Sequence, residues 1–226
     1  MLSARTPVSP YLQHRVGVIM GGPSAEREIS LISGRRVHAA LLERGYDAVA
    51  IDWTGADHDL WAELRRERVE VAFVALHGTL GEDGCVQGLL ECCAVPYTGS
   101  SVLASALAMD KVRSRRVFDE ESIESPRWCV YRGPADVQRL GFPLVVKPSR
   151  EGSSIGISIV RDETQLSAAL QTARRLHGEV LLEEYVRGRE IEVAVLDGEV
   201  LGDVEIQPVT EFYDYAAKYQ RTDTKY

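Results

Sequence analysis

The chain has 226 residues, 45% of them apolar, with 26 Lys plus Arg against 34 Asp plus Glu and a net charge of −8. That length suits one large domain or two to three small ones, and the apolar content argues against disorder. The acidic balance makes nucleic acid a poor partner, because gripping phosphates along a strand needs a clustered basic surface. No stretch approaches the roughly 20 apolar residues that span a bilayer, so no membrane partner is expected. The opening segment MLSARTPVSPYLQHR lacks the apolar run of a signal peptide, so the cytoplasm is the expected compartment. The cysteines Cys85, Cys92, Cys93 and Cys129 form no C-x-x-C pair and read as small apolar residues in a reducing compartment.

Residues 1–14 read as a flexible extension. RVGVIM (Arg15 to Met20) is a β-branched run that predicts a buried strand, broken by Gly21 and Gly22. A helical pattern follows from about Ala25 to Leu42, with Gly45 as its stop. DAVAIDW predicts a second strand, Leu60 to Arg66 a helix, and VEVAFVAL a third strand ending at Leu76. Alternating strand and helix implies parallel pairing, so residues 15–100 are expected to form an open parallel α/β domain.

A second unit starts near Ser101. Residues Ser101 to Asp119 carry one long helical pattern, and Pro126 opens an extended stretch. FPLVVK (Phe142 to Lys147) is an apolar strand running into the Gly/Ser-rich SREGSSIGIS. ETQLSAALQTARRL is an amphipathic helix, with Glu163 near its start and Arg174 and Arg175 near its end, as the helix dipole prefers. EVLLEEYV is another strand, and EIEVAVLDGEVL alternates with period two around Asp197-Gly198, a type I′ hairpin signal. This unit reads as α+β with antiparallel pairing. The chain closes on DTKY directly after a strand, which reads as a cut rather than a finished sheet.

Four segments carry chemistry. GGPSAEREIS (Gly21 to Ser30) places backbone N–H groups and a helix start at a strand end. The plain alternative is an ordinary turn with Ser24 as N-cap. The glycines lack the G-x-G-x-x-G spacing of a dinucleotide site, which disfavours a dehydrogenase. In ALHGTLGEDGCVQGLLE, His77 sits just past a strand's C-terminal end, where open parallel sheets bind ligands; a loop histidine is the alternative. VVKPSREGSSIGIS is the strongest local signal. A buried strand delivers Lys147, then Gly152, Ser153, Ser154 and Gly156 offer unobstructed N–H and hydroxyl donors, which is what a phosphate needs. LLEEYVRGREIEV could frame an adenine and ribose through Glu183 and Glu190, although on this evidence alone a solvated edge strand is the favoured reading.

In this order, GGPSAEREISL, ALHGTLGEDGCVQGLLE, PYTGSSVLASALAMDKVRSR, FPLVVKPSREGSSIGIS and EFYDYAAKY resemble signatures of the D-alanine–D-alanine ligase family, from Arg15 onward. The resemblance implies an incomplete ATP-grasp fold after the first domain, with a central subdomain over 101–179 and the start of a C-terminal subdomain over 180–226. It implies ATP-dependent joining of two D-alanines for peptidoglycan precursors through an acyl phosphate, in a homodimer, with Mg2+ or Mn2+ as companion of the nucleotide. Glu26 would hold the ammonium of the first D-alanine, with His77 close by. Lys111 and Lys147 would contact phosphates. Ser153 and Ser154 would belong to a lid. Glu183, Tyr185, Val186 and Glu190 would frame adenine and ribose. Lys218 and Tyr219 would belong to a closing loop, Tyr219 bonding Ser153 and Glu26. Similar ligases that make D-alanyl-D-lactate carry a phenylalanine where Tyr219 stands, so the dipeptide is the expected product. The family's Arg-x-Asp and Glu-x-Asn-x-x-Pro-Gly segments have no counterpart here, so the metal ligands are expected beyond Tyr226 and this chain alone is expected to be weakly active or inactive. The alternatives are a non-catalytic nucleotide-binding remnant and a D-alanine–D-lactate or D-alanine–D-serine ligase.

Overall fold

A computed structural model describes residues 9–55, 58–176, 178–210 and 212–226. The extension read over 1–14 lies outside the described residues as far as Val8; Pro10–Gln13 then forms a single 3₁₀ turn. The chain divides into two compact units, residues 1–110 and 111–226.

In the first unit, β1 (Arg15–Gly21) is the middle strand of a parallel sheet, flanked by β2 (Asp47–Trp53) and β3 (Val71–Val74). β1 is buried along nearly its whole length, as its unbroken apolar run requires when both faces are covered. On one face Val18, Met20, Leu31 and Ala75 pack with α1 (Arg27–Glu43). On the other, Ile19, Ile51, Leu64 and Leu90 join α2 (Leu60–Arg66) and α3 (Cys85–Cys92). α1 lies so close to β1 that a Cβ on Gly34 would stand 2.5 Å from the Met20 Cβ. Of the four cysteines, all free, only Cys129 is buried. Cys85 and Cys92 lie at the two ends of α3 and are exposed. Among the described residues no helix is long and apolar enough to cross a membrane.

The single helix expected from Ser101 to Asp119 is two: α4 (Val102–Met109) and α5 (Lys111–Glu120). At Asp110 the backbone is extended (φ −91°, ψ 100°), and the Lys111 N–H bonds the Ser149 carbonyl at 2.8 Å instead of continuing a helical ladder. The second unit holds a four-stranded antiparallel sheet in the order β4 (Trp128–Val130), β7 (Val180–Glu184), β5 (Leu144–Pro148), β6 (Ser158–Val160). Leu144, Val146, Val160, Leu170 and Leu182 form its core beneath α6 (Pro134–Leu140) and α7 (Glu163–Arg174). α6 is too short for a periodic signal, yet it is fully punctuated. It opens on Pro134, the Asp136 carboxylate accepts from the N–H groups of Arg132 and Gly133, and Gly141 ends it at φ +78°.

β7 is an interior strand, not the solvated edge that local sequence allowed, which is why Glu183 is buried. β8 (Glu190–Leu196) and β9 (Glu199–Ile206) form the hairpin expected at Asp197-Gly198. Both turn residues have positive φ, 50° and 81°, as a type I′ turn demands. The period-two pattern does not bury a face here, for Ile191, Val193 and Val195 remain exposed. α8 (Tyr215–Tyr219) follows, capped by the Asp214 carboxylate, which accepts from the Ala217 N–H at 2.8 Å.

Candidate functional site

In the first unit the candidate residues gather at the C-terminal ends of β1 and β3. Gly21 and Gly22 leave β1 with φ of 86° and 80°, and the Gly22 N–H bonds the Trp53 carbonyl at 2.7 Å. Ser24 does not cap the helix through its side chain. Its hydroxyl donates to the His77 carbonyl at 2.7 Å and accepts from the Glu26 N–H at 3.2 Å, sewing the first loop to the one after β3. Glu26 directly precedes α1 and is 6% exposed. Its carboxylate crowds Gly78 so closely that a Cβ there would meet Oε2 at 2.7 Å. A side chain at Gly78 would have to displace that carboxylate and hold a left-handed φ of +69°, which favours glycine.

His77 is held from both sides. Its Nε2 lies 3.1 Å from Ser33 Oγ and its Nδ1 3.9 Å from Glu82 Oε1, while Glu82 Oε2 accepts from the Gly78 N–H at 2.7 Å. Glu82 and Ser33 escaped the sequence reading. The GEDG turn offered a signal for Glu82, whereas Ser33 is one of several polar residues on α1. Bonding to Glu82 raises the His77 pKa above its ordinary 6.5; burial opposes this, and the charges of Glu82 and Glu26 add to it. For Glu82, burial pushes upward, but His77 and the Gly78 N–H outweigh it and the net shift is downward.

The raised histidine contributes stability that is full below about 6.5 and is lost as pH rises through its folded-state pKa. The depressed carboxylate contributes stability present above its ordinary value and lost as pH falls through its folded-state pKa. The pair therefore stabilises most in the mildly acidic range between. Glu82→Gln is expected to bring the His77 NMR titration midpoint down and to flatten the decline of unfolding free energy above neutrality. A wild-type His77 titrating at or below 6.5 would show that the pair does not form.

In the second unit a cleft of about 840 Å³ opens over the antiparallel sheet, within the size range of cofactor sites. Val145, Ile157, Ile159 and Phe212 give it apolar walls, and Lys147, Glu183, Tyr185, Val186 and Glu190 all line it. Neighbouring antiparallel strands bring the charged pair together: Val145 stands opposite Glu183, and Lys147 projects one pleat further along the same face. The Lys147 ammonium contacts Glu183 Oε2. Glu183 Oε1 accepts from Arg115 on α5, through Nε at 2.8 Å and Nη2 at 2.7 Å. Arg161 also lines the cleft, its guanidinium 5.9 Å from the Tyr185 ring. Neither arginine was singled out by the sequence.

The Gly/Ser loop after β5 is locally strained, with Ser153 and Ser154 left-handed at φ 47° and 61° and Gly156 at 74°. Ser153 Oγ lies 2.9 Å from Tyr219 Oη, and Ser154 Oγ donates to the Tyr213 carbonyl at 3.0 Å. The Tyr219 ring packs edge-on against Tyr215, centroids 5.0 Å apart, and Lys218 Nζ lies 5.2 Å from the Tyr213 ring centre. Lys111 is not among the cleft-lining side chains; its Nζ donates to the Glu151 carbonyl at the base of the same loop. Among the described residues no group of three or more His, Cys, Asp or Glu side chains is disposed to hold a metal ion.

Family models for the D-ala D-ala ligase N-terminus and C-terminus match residues 56–100 and 121–226. A D-alanine–D-alanine ligase of Geotalea uraniireducens is 52% identical over 209 residues, 91% of this chain and 66% of that protein. One from Stutzerimonas stutzeri is 48% identical over 230 residues, covering all of this chain and 72% of the relative. The crystal structure of the Bacillus anthracis D-alanine–D-alanine ligase superposes with a TM-score of 0.80 at 38% identity, covering 94% of this chain and 70% of that one. The same enzyme complexed with ATP gives 0.76 at 36% identity, covering 88% and 68%. The fold thus defines an ATP-grasp protein. The chain belongs to the D-alanine–D-alanine ligase family, and it spans about two thirds of the length of the curated relatives it matches.

Proposed function

We propose that the protein joins two D-alanines into D-alanyl-D-alanine at the expense of ATP, in the cytoplasm and as a homodimer, for peptidoglycan precursors. The observation that supports this reading is the cleft in which Lys147 and Glu183 meet, followed along the chain by a Gly/Ser loop whose Ser153 bonds Tyr219, in a chain 48–52% identical to curated ligases. A carboxylate resists attack by an amine until it carries a good leaving group. In the proposed reaction a carboxylate oxygen of the first D-alanine attacks the γ-phosphorus of ATP, and ADP departs. The amine of the second D-alanine then attacks the acyl carbonyl, loses a proton, and expels inorganic phosphate.

In this reading Lys147 and Lys111 hold phosphates, Glu183 accepts from the adenine amine, and Tyr185, Val186 and Glu190 frame adenine and ribose. Glu26 holds the ammonium of the first D-alanine, with His77 beside it. Ser153, Ser154, Lys218 and Tyr219 close over the reacting groups and keep water from the acyl phosphate. Mg2+ or Mn2+ is proposed as the nucleotide's companion. The described residues supply no group of three or more His, Cys, Asp or Glu side chains to hold it.

Coupled ADP release with mass-spectrometric product analysis tests the reading. One dipeptide per ADP is expected with D-alanine, and little ester or mixed product with D-lactate or D-serine. ATP binding without ADP release would identify a nucleotide-binding remnant instead, and preferential use of D-lactate or D-serine would reassign the acceptor.

A further inference from the structure

The deepest polar group in the cleft is the Glu183 carboxylate, 4% exposed on an interior strand. Burying a carboxylate is tolerated only when it is paired and its oxygens are satisfied. Glu183 has two cations. Lys147 comes from the cleft floor, one strand over, and Arg115 from α5 behind it. Their roles differ by geometry. Arg115 sends Nε and Nη2 to one oxygen, Oε1, a fork that fixes the carboxylate plane. Its side chain is 18% exposed and does not line the cleft. Lys147 does face the cleft, and its ammonium engages the other oxygen, Oε2.

We propose that Arg115 is a positioning residue for nucleotide binding: by holding Glu183 from behind, it lets Lys147 leave the carboxylate for a phosphate and frees Oε2 to accept from a donor on the base. The inference rests on the nucleotide reading given above. With Lys147 as its sole partner, Glu183 would lose its only counter-charge whenever the ammonium turned to a phosphate. That uncompensated buried charge would count against every nucleotide bound. With the guanidinium on Oε1, the carboxylate stays paired in both arrangements. Arg115 therefore acts on affinity without touching the ligand. Lysine at this place would keep the charge but lose the fork, and would preserve the function in part.

The test is calorimetric titration of the purified protein with ATP and with AMP, for wild type, Arg115→Met, Arg115→Lys, Glu183→Gln and Arg115→Met/Glu183→Gln. Arg115→Met is expected to weaken ATP about tenfold or more, the scale of a truncated buried charge pair. It is expected to weaken AMP less, because less phosphate draws on Lys147. Arg115→Lys should recover part of the loss. In the Glu183→Gln background, removing Arg115 should cost under twofold, since no buried carboxylate remains to be balanced. A merely structural role would weaken binding equally in both backgrounds, and that result overturns the proposal. Equal ATP affinity in wild type and Arg115→Met also overturns it while leaving the nucleotide reading intact. Failure of the wild-type protein to bind ATP removes that reading itself, and this inference with it.

Discussion

Lys147→Met is expected to lower kcat/KM for ATP by roughly 10²–10³, the usual cost of deleting one preorganised electrostatic contact to a transferring group. The ammonium ends a buried strand and is only 15% exposed. Water there does little to screen it, and at an effective dielectric near 20 a unit charge pair about 4 Å apart is worth about 4 kcal/mol. The same substitution takes a counter-charge from Glu183, which keeps Arg115, so a stability loss of about 1–3 kcal/mol is also expected. The two effects separate in Lys147→Met/Glu183→Gln. Thermal denaturation should show stability restored, because the unbalanced carboxylate is gone, while coupled ADP release should stay low. Lys147→Met with kcat/KM within twofold of wild type would place the phosphates elsewhere. Recovery of turnover in the double variant would make the lysine a folding element only.

The backbone was legible wherever a local rule has no competitor. RVGVIM can be buried on both faces only as a central strand, and β1 lies between β2 and β3. Asp197-Gly198 specifies a turn with two positive φ values and adopts one. What escaped depends on contacts distant in sequence. Nothing near Asp110 announces a break, because its cause is the Ser149 carbonyl capturing the Lys111 N–H. In LLEEYV the acids suggested solvent, but strand order rather than composition decides whether a strand is an edge. Arg115 is the sharpest case. In DKVRSRRVFDE it is one of several basic residues with nothing local to set it apart, and only the fold carries its guanidinium to Glu183, 68 residues away. Ser33 meets His77 for the same reason, since the sheet brings α1 and the loop after β3 together, whereas Glu82 lies in the same loop as His77 and was open to a local reading. Sequence thus shows which residue types could do chemistry, and the fold shows which of them are already occupied with one another.

Tyr219→Phe is expected to uncouple ATP consumption from peptide formation and to raise use of D-lactate relative to D-alanine by about tenfold, the worth of one lost hydrogen bond of about 1–1.5 kcal/mol. The phenol fastens a strained loop, bonding Ser153 at 2.9 Å where both Ser153 and Ser154 hold left-handed backbone. Such conformations cost of order 1–3 kcal/mol each and persist only under restraint from their surroundings. Phenylalanine keeps the edge-on packing with Tyr215 and the Asp214 cap, so α8 should survive. The loop loses its latch, and an acyl phosphate beneath it meets water more often, giving more ADP than dipeptide. If Tyr219 faces the acceptor, as proposed, removing its hydroxyl also disfavours the ammonium of D-alanine more than the uncharged hydroxyl of D-lactate. Ser153→Ala breaks the same bond from the other side but leaves the Tyr219 hydroxyl in place. It should therefore raise the ADP-to-dipeptide ratio without shifting acceptor choice. Parallel measurement of ADP, dipeptide and depsipeptide in the two variants distinguishes latch from polarity. If Tyr219→Phe leaves both ratios at wild-type values, the phenol neither seals the site nor selects the acceptor.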